Sequence, residues 1–374
     1  MSASNPLVAA RQQGQSLWLD FIQRSMLSNG ELEKLIQQDG ICGITSNPAI
    51  FEAAIANTVE YDPQIRSILE VDNSIDSLEI FKQLAVTDIS AAADILKPVY
   101  LDSRGDDGMV SLEVSPTLAH ESEATVQEAV ELHAAVNRDN AMIKVPGTRE
   151  GVTAFEELIA RGISVNVTLL FSVSRYQEIV QAYLRGLQRR LDAGQPIDRI
   201  ASVASFFVSR VDAVVDAQLA EHKDQALADK LTGKIAIANA KVAYSYYQNI
   251  FESPQFSKLA DAGAIPQRLL WASTGTKNPD FSDVYYVEEL IGPDTINTIP
   301  PKTMDAFRDH GVVENRLEND LEQAVQQLEA LATTTINLDE ITQALEKAGV
   351  KSFAEAFDRL MTAISAKRQQ ILSS

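Results

Sequence analysis

The feature that most constrains this chain is an alternation kept up along most of its length: a short aliphatic run, an amphipathic stretch, then another short run. The short runs fall at 16–22, 41–46, 109–115, 140–146, 162–170, 200–205, 268–273 and 295–299, and each has strand character. Between them lie helical stretches. These include Leu32, Leu35 and Ile36 on one face, residues 49–97 with a polar break at 72–74, and residues 125–137, 153–161, 174–193, 213–251 and 286–290. Eight strands separated by helices predict a (β/α)8 TIM barrel over an open doubly wound sheet. No Gly-x-Gly-x-x-Gly follows a strand, so the usual dinucleotide fingerprint is missing. Past the last strand, Leu317, Leu321, Val325, Leu328 and Leu331 form a helical stripe. Ser352 with Glu355 reads as a capping box opening a final helix with Phe353, Phe357, Leu360 and Ile364 on one side. Residues 1–374 therefore read as one α/β domain, with 311–374 as a C-terminal helical extension packed on the barrel.

Composition narrows the function. With 45% hydrophobic residues and no apolar run near the roughly 20 residues that span a bilayer, the chain reads as globular and without a membrane segment. Its opening, Met-Ser-Ala-Ser-Asn-Pro, lacks a basic segment before an apolar core, so a cytoplasmic protein is expected. A single cysteine, Cys42, excludes an internal disulfide framework and reads as a small core residue. His120, His133, His222 and His310 do not fall at metal-ligand spacings, so no structural metal is expected. The acidic stretch 102–108 lacks the ligand spacing of a calcium loop and reads as a solvated turn. A net charge of -20 repels nucleic acid and anionic membranes. Any phosphate-bearing partner must then be held by a few local cations.

In barrels of this kind the reactive groups come from the C-terminal ends of strands. Lys144 stands out among them, since it lies on one strand face with Met142 and Pro146 while Ile143 and Val145 point the other way. A buried ammonium is costly unless it is paired or loses its proton. Such a lysine is either a nucleophile that forms a Schiff base or one whose buried stem carries its head to water, and the strand alone weighs the two equally. The other ends decide between them. With Lys144 itself, Asp20, Thr45 and Asn47, Glu113, Asn166 and Thr168, Ser205, and Ser273 put a polar residue on seven of the eight strands, where a plain core would have Val, Ile, Leu and Ala. A polar pocket fits that set better than a satisfied core network. Asp20 and Glu113 can move protons, Glu113 with Thr168 can hold a water, and Asn47 and Asn166 can bond hydroxyls. An Asp20–Lys144 ion pair remains the plain structural alternative. Arg210 and the 273–277 loop, ending in Lys277, offer cations and hydroxyls for an anion.

The motifs Gly-Ile-Thr-Ser-Asn-Pro-Ala-Ile-Phe at 43–51, Ser-Leu-Glu-Val-Ser-Pro at 111–116 and Met-Ile-Lys-Val-Pro-Gly at 142–147 resemble those of the transaldolases, specifically the longer bacterial type. So do Asn-Val-Thr-Leu-Leu-Phe-Ser at 166–172, Ser-Phe-Phe-Val-Ser-Arg-Val-Asp at 205–212 and Trp-Ala-Ser-Thr-Gly-Thr-Lys-Asn-Pro at 271–279. The resemblance implies a cofactor-free barrel enzyme of the non-oxidative pentose phosphate pathway. It would move a dihydroxyacetone unit from sedoheptulose 7-phosphate to glyceraldehyde 3-phosphate, giving erythrose 4-phosphate and fructose 6-phosphate. Carried over, Lys144 is the Schiff-base lysine, Asp20 the acid–base group, and Glu113 with Thr168 the pair that positions water. Asn47, Asn166 and Ser205 bind the dihydroxyacetone part, and Arg210, Ser273 and Lys277 the phosphate. Lysine at 277 departs from the arginine of shorter members and exchanges a bidentate contact for a point charge. The resemblance implies sugar phosphates as partners and leaves monomer and homodimer open. Two rivals remain: a fructose-6-phosphate aldolase-like enzyme that releases the unit to water, and a non-catalytic sugar-phosphate-binding barrel. A phosphosugar isomerase is disfavoured because no histidine lies on a strand.

Overall fold

The computed structural model describes residues 5–373; residues 1–4 of the opening segment and residue 374 lie outside that range. Its first half runs α1 (Pro6–Gln12), β1 (Gln15–Leu19), α2 (Arg24–Ser28), α3 (Glu31–Asp39), β2 (Gly43–Thr45), α4 (Pro48–Ala56), α5 (Asp62–Val71), α6 (Ser77–Asp102), β3 (Met109–Glu113), α7 (Ser122–Val136), β4 (Ala141–Pro146) and α8 (Arg149–Arg161). The second continues with β5 (Val165–Leu170), α9 (Val173–Asp192), β6 (Ser202–Phe207), α10 (Ser209–Leu219), α11 (Gln225–Leu231), α12 (Ile235–Phe251), α13 (Pro254–Asp261), β7 (Arg268–Ala272), α14 (Tyr285–Glu289), β8 (Thr295–Ile299), α15 (Pro301–His310), α16 (Leu321–Ala332) and α17 (Leu338–Leu372). The strands pair in sequence order, all parallel, and β1 closes on β8 from Gln15↔Thr295 to Leu19↔Ile299. The expected (β/α)8 barrel is the fold. Its strands are almost wholly buried, one face on the barrel interior and the other under the helices, which is why they read as near-continuous apolar runs.

The N-terminal end of the barrel is closed by a charge cluster that the sequence reading placed in solvent. Asp107 is 7% exposed. It accepts hydrogen bonds from Ser16 Oγ (2.8 Å) and Trp18 Nε1 (3.0 Å) and pairs with Arg268 at 3.1 Å. The solvated-turn expectation for 102–108 holds for Asp102, Arg104 and Asp106, which are exposed, and is corrected at Asp107: α6 runs on to Asp102, and the turn after it carries Asp107 under the barrel. Trp18 in turn needs the bare backbone of Gly43, where a Cβ would come within 2.4 Å of the indole.

Two C-terminal expectations also change. Ser352 is not a helix start, because α17 is a continuous helix of 35 residues capped at Asn337, whose side chain accepts from the N–H groups of Asp339 and Glu340. The stripe of α16 is displaced as well. Ala324 and Leu331 are buried, whereas Leu321 and Val325 are 36% and 39% exposed, and Leu317 is buried ahead of the helix. Phe353, Phe357, Leu360 and Ile364 are buried as expected and join the same apolar cluster as the barrel.

Candidate active site

Strand register assembles the site. Glu113 on β3 stands opposite Lys144 on β4, and Lys144 opposite Asn166 on β5, so three polar side chains of one layer are neighbours across three strands. The Lys144 side chain is 6% exposed; Nζ donates to the Ser46 carbonyl at 3.0 Å and pairs with Glu113 Oε2 at 3.3 Å. The ammonium is thus largely withdrawn from bulk solvent, and the carboxylate at ion-pair distance is that of Glu113. Burial pushes the Glu113 carboxyl up to about 7 against the pull of Lys144. Thr168 follows on β5, opposite Pro146, with its buried hydroxyl free of hydrogen bonds within the protein. Asp20 caps the end of β1 across the barrel, its N–H bonded to the Ile299 carbonyl (3.0 Å) and its Oδ1 accepting from Thr45 Oγ1 (2.8 Å). Burial raises its pKa too, outweighing Lys144, Thr45 and Arg210. Both acids are thus held toward the protonated side of their ordinary range, as groups that exchange protons must be.

A cavity of about 270 Å³ opens at these strand ends. Of the ten residues singled out by sequence, Asp20, Asn47, Lys144, Thr168, Ser205, Arg210, Ser273 and Lys277 line it. Glu113 and Asn166 lie behind the wall. Glu113 reaches the cavity through Lys144, while Asn166 accepts from Ser205 Oγ (2.7 Å) and donates to Ser111 Oγ (3.1 Å), which fixes the Ser205 hydroxyl. Asn47 caps α4 by accepting from the Ile50 N–H (3.0 Å), and its amide nitrogen has no hydrogen-bond partner among the described residues. On the far wall Arg210, in the first turn of α10, lies over the Phe207 ring at 5.1 Å. Burial lowers the pKa of Arg210 and of Lys277, and for Lys277 the Arg210 charge adds to the effect. Among the described residues neither cation has a carboxylate within ion-pair distance. Ser273, in the left-handed region at φ +56°, sets its hydroxyl 3.1 Å from that of Ser209 beside them. Two adjacent cations without a counter-ion, in a chain of net charge -20, make a site for an anion.

The model of the transaldolase/fructose-6-phosphate aldolase family matches residues 17–364. The chain belongs to that family. It is 48% identical over 375 residues to transaldolase 2 of a Nostoc species, covering 98% of each chain. It is 46% identical to the transaldolase of Thiobacillus denitrificans (94% of this chain, 97% of the relative) and 42% identical to that of Saccharopolyspora erythraea (99% and 100%).

Thr298 and Phe353 are among the residues of this transaldolase-family cavity that escaped the sequence reading. Thr298 makes β8 the eighth strand with a polar side chain at the site, and its hydroxyl lies 2.6 Å from that of Thr45, the donor to Asp20. Its signal was present, since β8 reads Thr-Ile-Asn-Thr-Ile with polar residues on both faces. Phe353 lines the cavity from α17, its ring centroid 5.6 Å from Lys144 Nζ. Nothing in the local sequence announces that contact, because it joins residues 209 positions apart.

Proposed function

We propose that this chain is a transaldolase that carries a dihydroxyacetone unit on Lys144 from sedoheptulose 7-phosphate to glyceraldehyde 3-phosphate, giving erythrose 4-phosphate and fructose 6-phosphate. The observation that carries the reading is the buried Lys144–Glu113 pair at the floor of a cavity whose far wall holds two unpaired cations. Family membership and the transaldolases matched over nearly the whole chain support it. Glu113 takes the ammonium proton, and the freed amine adds to the ketose C2. The carbinolamine then loses water beside Glu113 and Thr168 to leave an iminium. Asp20 accepts the proton of the C4 hydroxyl as the C3–C4 bond breaks, and the bonding electrons flow into the iminium to give an enamine. Addition of the enamine carbon to the acceptor aldehyde, with Asp20 returning its proton to the new alkoxide, reverses the sequence, and water releases the product. Arg210, Lys277 and Ser273 hold the phosphate far from the lysine, which orients the chain of the sugar across the cavity. Asn47, Asn166 and Ser205 bind the dihydroxyacetone hydroxyls, Asn166 by orienting Ser205.

Release of the unit to water, the aldolase alternative carried in the family's own description, uses the same lysine. The segment 311–374 belongs to the same domain in this reading, since its buried side chains join the barrel's apolar cluster. A cytoplasmic location follows from the substrates, since doubly charged sugar phosphates do not cross bilayers unaided. The test is borohydride reduction with fructose 6-phosphate, followed by intact mass and peptide mapping. A stable adduct on Lys144, with sedoheptulose 7-phosphate formed once erythrose 4-phosphate is added, is the expected result. No adduct on folded protein that still binds the sugar phosphate would overturn it.

A further inference from the structure

The path of α17 gives the C-terminal helix a part in the chemistry. β5 changes register between Val167 and Leu170, directly at Thr168, and Leu169 holds φ +61° there, a left-handed conformation that a leucine adopts only at a cost. The resulting kink meets α17 at Gly349, where a Cβ would come within 2.8 Å of Leu169 Cδ2. A larger residue there would push the Leu169 side chain aside. One turn further along the same helix face stands Phe353, 7% exposed, lining the cavity with its ring centroid 5.6 Å from Lys144 Nζ. The helix is fixed on both sides of that point. Glu346 pairs with Arg175 of α9 at 3.5 Å, and Phe357 packs edge-on against Phe81 of α6 at 5.8 Å. Of the other aromatic groups in the cavity lining, Phe207 is taken up by Arg210, so Phe353 is the apolar cover at the lysine end.

On the reading above, the enamine on Lys144 has two fates. Its carbon can attack an aldehyde, forming a carbon–carbon bond while Asp20 protonates the alkoxide. Alternatively it can take a proton from water, after which a second water adds to the iminium, frees dihydroxyacetone and restores the amine. Hydrolysis of the iminium ends both fates, so the step that belongs to release alone is protonation of the enamine carbon, and a ring packed beside Lys144 screens that carbon from water. We infer that Phe353, brought in by the C-terminal helix, keeps water from the lysine-bound enamine and so sets the ratio of transfer to release.

Phe353→Ala and Phe353→Val test this, with sedoheptulose 7-phosphate formation from fructose 6-phosphate and erythrose 4-phosphate measured against free dihydroxyacetone from fructose 6-phosphate alone. The ratio of release to transfer is expected to rise by about tenfold in the alanine variant, equivalent to about 1.4 kcal/mol between the two barriers, and by less with valine. The valine variant keeps part of the packing and serves if alanine prevents folding. A wild-type ratio in any folded variant overturns the inference, even where both rates fall together, because a loosened fold would do that alone. Borohydride trapping in the same variants separates the two failures: no adduct on Lys144 in any form, wild type included, defeats the Schiff-base reading. An adduct with an unchanged ratio defeats the role of Phe353 only.

Discussion

Glu113 is the residue whose charge state should govern the pH profile. Its carboxyl is raised to about 7 by burial, with Lys144 opposing the shift. Below that pH Glu113 carries its own proton and cannot act as the base that frees the amine, so kcat/KM is expected to fall as pH drops through about 7. Above it, the carboxylate is free to act as that base. Glu113→Gln keeps the shape but cannot accept a proton; turnover should fall by about 10²–10⁴-fold, and the acid limb near pH 7 should vanish from what activity is left. A variant that kept the limb would assign it to another group, of which Asp20, also raised by burial, is the first candidate. The chemistry of this pair was legible in the sequence because polar residues recur at the ends of the other strands, which places Lys144 in a polar pocket rather than in an apolar core. Which acid it pairs with was not. That depends on the register Glu113↔Lys144 between β3 and β4, and a register is fixed by closure of the whole barrel.

At the scale of elements, the strands were readable because most are largely apolar on both faces, a pattern that a parallel sheet under helices imposes, with a polar residue at or near the C-terminal end. The connections were harder. The loop between α6 and β3 looks like a solvated turn by composition, yet Asp107 gathers Ser16, Trp18 and Arg268 from β1 and β7. Asp107→Ala leaves a largely buried guanidinium without its partner, which typically costs about 3–5 kcal/mol. Tm should fall by on the order of 5–10 °C. Turnover of the folded protein should stay within about twofold, because strands of five to six residues at about 3.3 Å per residue put this cluster roughly 15 Å or more from the cavity. A loss of kcat as large as that of Glu113→Gln would contradict a purely structural part for Asp107. The false helix start at Ser352 has a related cause. Ser-x-x-Glu marks a helix start only where the preceding chain is extended, and Gly349, which resembles a break, is instead the point where α17 touches Leu169.

For the whole molecule the question is whether α17 is an appendage or part of the folding unit. Its first half crosses the mouth of the barrel and carries Phe353, while its last turns reach back to the α4–α6 excursion: Arg359 pairs with Glu52, Lys367 bonds Asp62 (2.7 Å) and the Thr58 carbonyl (2.6 Å), and Arg368 donates to the Asn73 carbonyl. The two halves should differ in consequence. A chain ending at residue 366 loses the part-buried contacts of Lys367, the Arg368 contact and the packing of the partly buried Ile371 against the core, together on the order of a few kcal/mol. It should unfold a few degrees lower and turn over within about twofold of the intact chain. A chain ending at residue 348 loses Phe353, Phe357, Leu360 and Ile364 and bares the Phe51–Phe81 contact beneath them. Burying four such side chains contributes about 1.5–3 kcal/mol each, a sum comparable with the whole stability of about 5–15 kcal/mol expected of a globular domain. That chain should aggregate, or lose both its cooperative transition and its turnover in whatever remains soluble. The intact protein should then show a single calorimetric transition, with barrel and C-terminal helices melting together. Two transitions, or an active, folded chain ending at 348, would make α17 a separable module and leave the barrel to hold Lys144 in place without help.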